Sequence, residues 1–116
     1  MASVIRGSDN FDTAGGNAVK AWVNFNGTGT VAIRAAFNVS SITDNGTGDY
    51  TVNFTNAMPD ANYSAVATVS ANVITSGSTI ATGPFMSVPT TSAYRFISAT
   101  SSAASDPAYA SVAIFR

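Results

Sequence analysis

The chain is 116 residues long and carries five basic and six acidic side chains, for a formal charge of −1. That length allows one domain with a single modest core, and so even a charge excludes the basic footprint that nucleic acid or anionic lipid requires. The sequence contains no His, Cys or Glu, which removes disulfides, thiolate chemistry, Cys-based zinc sites and the commonest general base.

Leu and Gln are missing as well, only one Lys is present, and Ser, Thr and Asn together supply 39 residues. The good helix formers are therefore nearly gone. The apolar content comes from Ala, Val, Ile, Phe and Tyr, most of which favour a pleated, half-buried surface. This composition predicts an all-β fold.

The first 17 residues are predicted to form a polar N-terminal arm, with residues 18–116 as the β domain. The arm carries no apolar run of signal-peptide length. No later stretch approaches the ~18 consecutive apolar residues of a membrane span, so a protein made in soluble form, with no membrane insertion, is predicted. Within the arm, Val4, Ile5 and Phe11 are the apolar residues available for docking by strand addition or hydrophobic insertion.

Residues 18–25 alternate, with Ala21, Val23 and Phe25 on one face and Lys20, Trp22 and Asn24 on the other, which predicts a first strand. The tetrapeptide NGTG at 26–29 then breaks the pattern, because Asn and Gly tolerate the positive φ of tight hairpin turns. Val31, Ile33, Ala35, Phe37 and Val39 resume it on a shared face. NGTG recurs at 45–48, approached by residues 39–43 and left by Tyr50, Val52 and Phe54. Two successive hairpins predict a three-strand meander.

Pro59, Asp60 and Asn62 mark the next turn, and Tyr63, Ala65, Ala67 and Val69 a fourth strand. Further strands are predicted at 73–75, near 84–88, at 94–100 and at 109–116, with a turn at 76–78 and a loop at 101–107. Seven or eight short strands without a substantial helix point to an antiparallel β-sandwich, jelly-roll-like in character. In the last strand Val112 and Ile114 share one face and Ala113 and Phe115 the other. A central sandwich strand explains this, and so does a subunit interface through Val112, Ile114 and Phe115.

The inventory holds little chemistry. The only side-chain carboxylates are six Asp residues in the arm or beside turns, where Asp ordinarily caps the backbone, so no catalytic pair is predicted. SDNFD at 8–12 and TDNGTGD at 43–49 lack the acidic spacing and terminal Glu of a calcium loop, which leaves turn chemistry. Ser and Thr are plentiful but have no His to activate them. The Gly-rich stretches precede no helix that could cradle phosphate. No catalytic, metal or cofactor-binding residue is predicted, and no cofactor. Five Asn-x-Ser/Thr triplets are read as a consequence of composition rather than as glycosylation sites. Trp22 and the four tyrosines are read first as core or strand-packing aromatics, and second as stacking surfaces for a carbohydrate or protein.

The run KAWVNFNGTGTVAIRAAFNVSSITDNGTGDYTVNFTNAMPDANYSAV, residues 20–66, resembles a module found at or near the C-termini of bacteriophage tail-fibre and related virion appendage proteins. The likeness is carried by AWVNFNGTG, NVSSITDNGTGDYTVNF and MPDANY. IRGSDNFDT before it is compatible, and from about Ser70 onward the match is one of texture. The resemblance implies a non-enzymatic virion surface protein, assembled in the host cytoplasm, forming a homotrimer and contacting other virion proteins. It maps no catalytic or ligand residue.

No coiled-coil or repeat shaft precedes the module in this sequence, which favours a short distal tail fibre or fibre tip acting in host attachment, or a small protein seated on another virion component. Capsid decoration, as a cement or head-fibre protein, and a carbohydrate-binding module are the alternatives. Recognition of a host glycan or protein is assigned to the later, less family-like loops: Ser76, Gly77, Ser78 and Thr79 in one, Ser101, Ser102, Ser105 and Asp106 in the other.

Overall fold

A computed structural model describes residues 19–70, 73–75, 89–100 and 103–116. These form eight strands: β1 (Val19–Asn26), β2 (Ala32–Phe37), β3 (Val39–Gly46), β4 (Asp49–Phe54), β5 (Ser64–Val69), β6 (Val73–Thr75), β7 (Ala93–Ala99) and β8 (Ala110–Phe115). No helix occurs among the described residues. The strands make two four-stranded sheets, ordered β2-β1-β8-β5 and β3-β4-β7-β6, and every pairing is antiparallel. The chain is thus an all-β sandwich whose first and last described strands lie side by side at the centre of one sheet.

The period-2 alternation of β1 turns Ala21, Val23 and Phe25 inward, and that of β8 does the same for Ala110, Val112 and Ile114. They pack on Tyr50, Val52 and Phe54 of β4 and on Tyr94 and Phe96 of β7. The ring of Phe25 bridges the sheets, edge-on to Tyr50 at 5.2 Å between centroids and 6.1 Å from Phe96. Such tilted aromatic pairs add about 1 kcal/mol each beyond the area they bury.

The expected three-strand meander is not formed. Residues 31–43, read as a run feeding two hairpins in one sheet, instead cross from one sheet to the other at Asn38, which has φ 55°. β2 pairs with β1 in the first sheet, and β3 pairs with β4 in the second. The two NGTG hairpins therefore belong to opposite layers.

Asparagine suits this corner because it tolerates the left-handed region and its short amide can bond the backbone nearby. Its Nδ2 donates to the carbonyls of Lys20 (3.0 Å) and Asn56 (3.1 Å), and its Oδ1 accepts from the Asn56 N–H at 2.7 Å. Asn38→Ala loses all three bonds and keeps the strained φ, so it should destabilise the fold by about 2–3 kcal/mol in urea titration. A loss below about 0.5 kcal/mol would show that the corner forms without them.

The fourth strand starts one residue later than expected, as β5, while β6 coincides with residues 73–75. The expected turn at 76–78 and strand at 84–88 lie outside the described residues. Val112 and Ile114 are buried to 2% and 0% exposure. This corrects the subunit-interface assignment for both, since they face the opposite sheet of their own sandwich, and it leaves Phe115 as the one of the three on an exposed surface.

Candidate functional site

Because β1 and β3 run toward the same end of the sandwich, both NGTG turns meet there, together with the segment before β8. In the first turn the Asn26 side chain accepts from the N–H and the hydroxyl of Thr28. In the second, Asp44 accepts from the Gly46 N–H. The Gly27 N–H bonds the Pro107 carbonyl at 2.9 Å. The Gly48 N–H bonds Asp106 Oδ1 at 2.7 Å, and the Gly48 carbonyl accepts from Ser98 N–H at 2.7 Å.

Tyr50 ties these pieces together from beneath. It is fully buried and directs its hydroxyl to Asp106 Oδ1 at 2.7 Å, with the Gly27 carbonyl 3.0 Å away. Burial, then the hydrogen bond to Asp106 and the nearby negative charges of Asp106 and Asp44, push its pKa far above the ordinary phenol value. Asp106 and Ser105, expected in a recognition loop, thus take part in closing this end of the sandwich: Ser105 donates its N–H to the Ser98 carbonyl, and Asp106 latches both the second turn and Tyr50.

Two further tyrosines share the character of Tyr50. Burial, and to a lesser degree the charge of Tyr94, push Tyr63 up to about 12, and burial raises Tyr94. The unfolded chain loses these protons first, near pH 10, so stability is whole below about pH 10 and falls as the pH rises through 12. Tyrosinate absorbance and loss of near-ultraviolet circular dichroism should therefore appear together above about pH 10. Ionisation of most tyrosines in a still-folded protein at that pH would contradict the burial described.

The two outer faces differ in kind. On the β3-β4-β7-β6 sheet, Asn53 donates to the hydroxyls of Ser41 and Thr43, Asn45 donates to Thr51, and Arg95 grips Asp49 through two bonds of 2.8 and 2.6 Å. Among the described side chains, that surface pairs its polar groups with one another.

On the other sheet the register lines up two rows across the strands. Phe37, Trp22, Ala113 and Val66 form an apolar row; Ala35, Asn24, Ser111 and Thr68 form a small and polar row next to it. Trp22, Phe37 and Val66 are 40%, 52% and 54% exposed. A shallow groove of about 350 Å³ runs over the small residues of β8, with Trp22 as one wall and Val66 and Thr68 as the other.

At the NGTG end of this face, Arg34 stacks over the ring of Tyr109 at 3.8 Å. Its Nη2 donates to the Ala108 carbonyl at 2.7 Å, and Nη1 lies 3.4 Å from Asn24 Oδ1. At the opposite end Val19 and Phe115 pair across β1 and β8, 40% and 37% exposed.

Val4, Ile5 and Phe11, and Ser76, Gly77, Ser78, Thr79, Ser101 and Ser102, lie outside the described residues. The reading of Trp22 as a packing aromatic is corrected: it stands on the outer face, where its period-2 neighbours Lys20 and Asn24 already placed it. Tyr50 and Tyr94 are core residues, whereas Tyr109 is 56% exposed. Nothing in the sequence signals the pairing of Tyr109 with Arg34, which lie far apart in the chain and meet only through the order β2-β1-β8. Comparison of the chain with protein families, with curated proteins and with solved structures found no match.

Proposed function

We propose that this chain is a structural protein of a bacteriophage virion, a short tail-fibre or fibre-tip subunit acting in host attachment without enzymatic activity. The observation that carries the reading is the asymmetry of the two outer faces. On one, the described side chains pair their polar groups with one another; the other exposes Val19, Trp22, Phe37, Val66 and Phe115 in a small domain of low charge, and exposed apolar surface of this kind marks an association site. The resemblance of residues 20–66 to virion appendage modules supplies the kind of assembly, a homotrimer seated on other virion proteins.

Phe115 and Val19 lie where the chain enters β1, so subunits joined there leave the NGTG end free to point outward. Light scattering at micromolar concentration should give a multiple of the 11.8 kDa subunit mass. Phe115→Arg should reduce it toward the monomer, because a charge placed in an apolar contact is left without a partner. A wild-type monomer that also fails to bind particles of the phage encoding it would sink the proposal.

A further inference from the structure

We propose that the groove between Trp22 and Val66 binds an acidic glycan, with Arg34 opposite a sugar carboxylate. This rests on the host-attachment reading and names the receptor chemistry for it. Three features of the face converge on that ligand.

The first is the pairing of an apolar row with a polar one. A sugar ring has an apolar face and a hydroxyl rim. Trp22 offers an exposed indole for the face; in the neighbouring row the Asn24 amide donates to the Ser111 hydroxyl at 2.8 Å, which leaves the Ser111 proton and the Thr68 hydroxyl for the rim.

The second is charge. The four strands of this sheet contain one Lys and one Arg and no acidic residue. No carboxylate among the described residues pairs with Arg34, whose guanidinium is held in place by the Tyr109 ring and the Ala108 carbonyl. A fixed planar guanidinium with donors to spare recognises a carboxylate in two-pronged fashion. Arg34 on Tyr109 lies at the end of the face away from Val19 and Phe115, so a ligand there does not compete with subunit contact at the other end.

The third is span. Tyr109 lies four residues before Ala113, the β8 neighbour of Trp22, which is about 13 Å at the rise of a strand. Arg34, stacked on Tyr109 and 3.4 Å from Asn24 of the groove wall, therefore lies within the reach of a short oligosaccharide seated on the indole.

Trp22 is the single tryptophan of the chain, so its fluorescence reports the groove in the unmodified protein. The probes are oligosaccharides of alternating uronic acid and N-acetylhexosamine, and the same oligosaccharides with their carboxyls reduced to alcohols. The acidic series should change the fluorescence saturably, with affinity at least tenfold above that of the reduced series. Arg34→Gln should remove that difference, and Trp22→Ala, assayed by calorimetry, should weaken both series at least tenfold while the circular dichroism stays native. Trp22→Phe should retain much of the binding.

Equal binding of both series would overturn the acidic assignment, and no response to either would overturn the groove. A fluorescence change that follows protein concentration without sugar would give the groove to a second copy instead. Particles that carry a chain indifferent to both series would refute this inference and leave the attachment reading standing. Glycan binding by a chain found on no particle would do the reverse.

Discussion

Gly48→Ala is expected to destabilise the protein by about 3 kcal/mol or more, a large share of the total for a domain of this size. Two costs combine. Gly48 has φ 69°, in the left-handed region where an L side chain is strained by about 1–2 kcal/mol. In addition, a Cβ there would overlap the Ser98 carbonyl oxygen and stand 2.7 Å from the Ser105 nitrogen. Both obstacles are backbone, in bonds that hold Gly48 to β7 and Ser105 to Ser98, so neither can swing aside.

The paired control lies in the first NGTG turn. Gly29 has nearly the same φ, 60°, but a methyl group added there would meet nothing within 4 Å. Gly29→Ala should cost only the strain, about 1 kcal/mol. Denaturant midpoints for the two variants check this, and equal losses would mean that the close approach of Gly48 to Ser98 contributes nothing.

Phe25→Ala should lower stability by about 3–5 kcal/mol, the range for emptying a buried aromatic site. Phe25 is fully buried and is the ring through which β1 meets both Tyr50 and Phe96 of the facing sheet. Removing it deprives Tyr50 of its edge-on partner and loosens the hydroxyl that reaches Asp106, so the NGTG end should lose order along with the core. Urea unfolding measures the first effect. Faster amide exchange at Gly27 and Gly48 would report the second; exchange unchanged at both, in a destabilised protein, would show that the latch does not depend on the core beneath it.

Much of this architecture is readable in the residues. The alternation in residues 19–25 separates Ala21, Val23 and Phe25 from Lys20, Trp22 and Asn24, and the sandwich uses that division as written. The NGTG stretches are hairpin turns in which glycine takes the positive φ, at Gly29, Gly46 and Gly48, while Asn26 bonds Thr28 and Asn45 reaches Thr51 through their side chains.

What alternation does not encode is the partner of each strand. Residues 31–39 alternate well, yet β2 is an edge strand exposed along its whole length, and the change of sheet at Asn38 leaves the side-chain rhythm unbroken on either side. Val112 and Ile114 are ambiguous in sequence for a similar reason. A central strand and an interface strand both need apolar residues on two faces, and only the packing of β4 and β7 decides which face is core.

The candidate groove has the same origin. Trp22 with Asn24 is local and visible in sequence, but Ser111, Thr68, Arg34 and Tyr109 join them through pairings between distant strands. The loop residues Ser105 and Asp106 show the converse. Their composition resembles a solvent-facing recognition loop, and the structure spends their polar groups on Ser98, Gly48 and Tyr50.

The most direct test of the central claim is an image of the protein in place. Under the proposed virion role, antibody against the folded chain, bound to particles and viewed by electron microscopy, should mark the distal end of a phage tail at a multiplicity of three or its multiples. Label confined to the capsid surface would contradict the tail-fibre assignment in favour of decoration, and particles that carry no label while the free protein remains monomeric would contradict the virion role altogether.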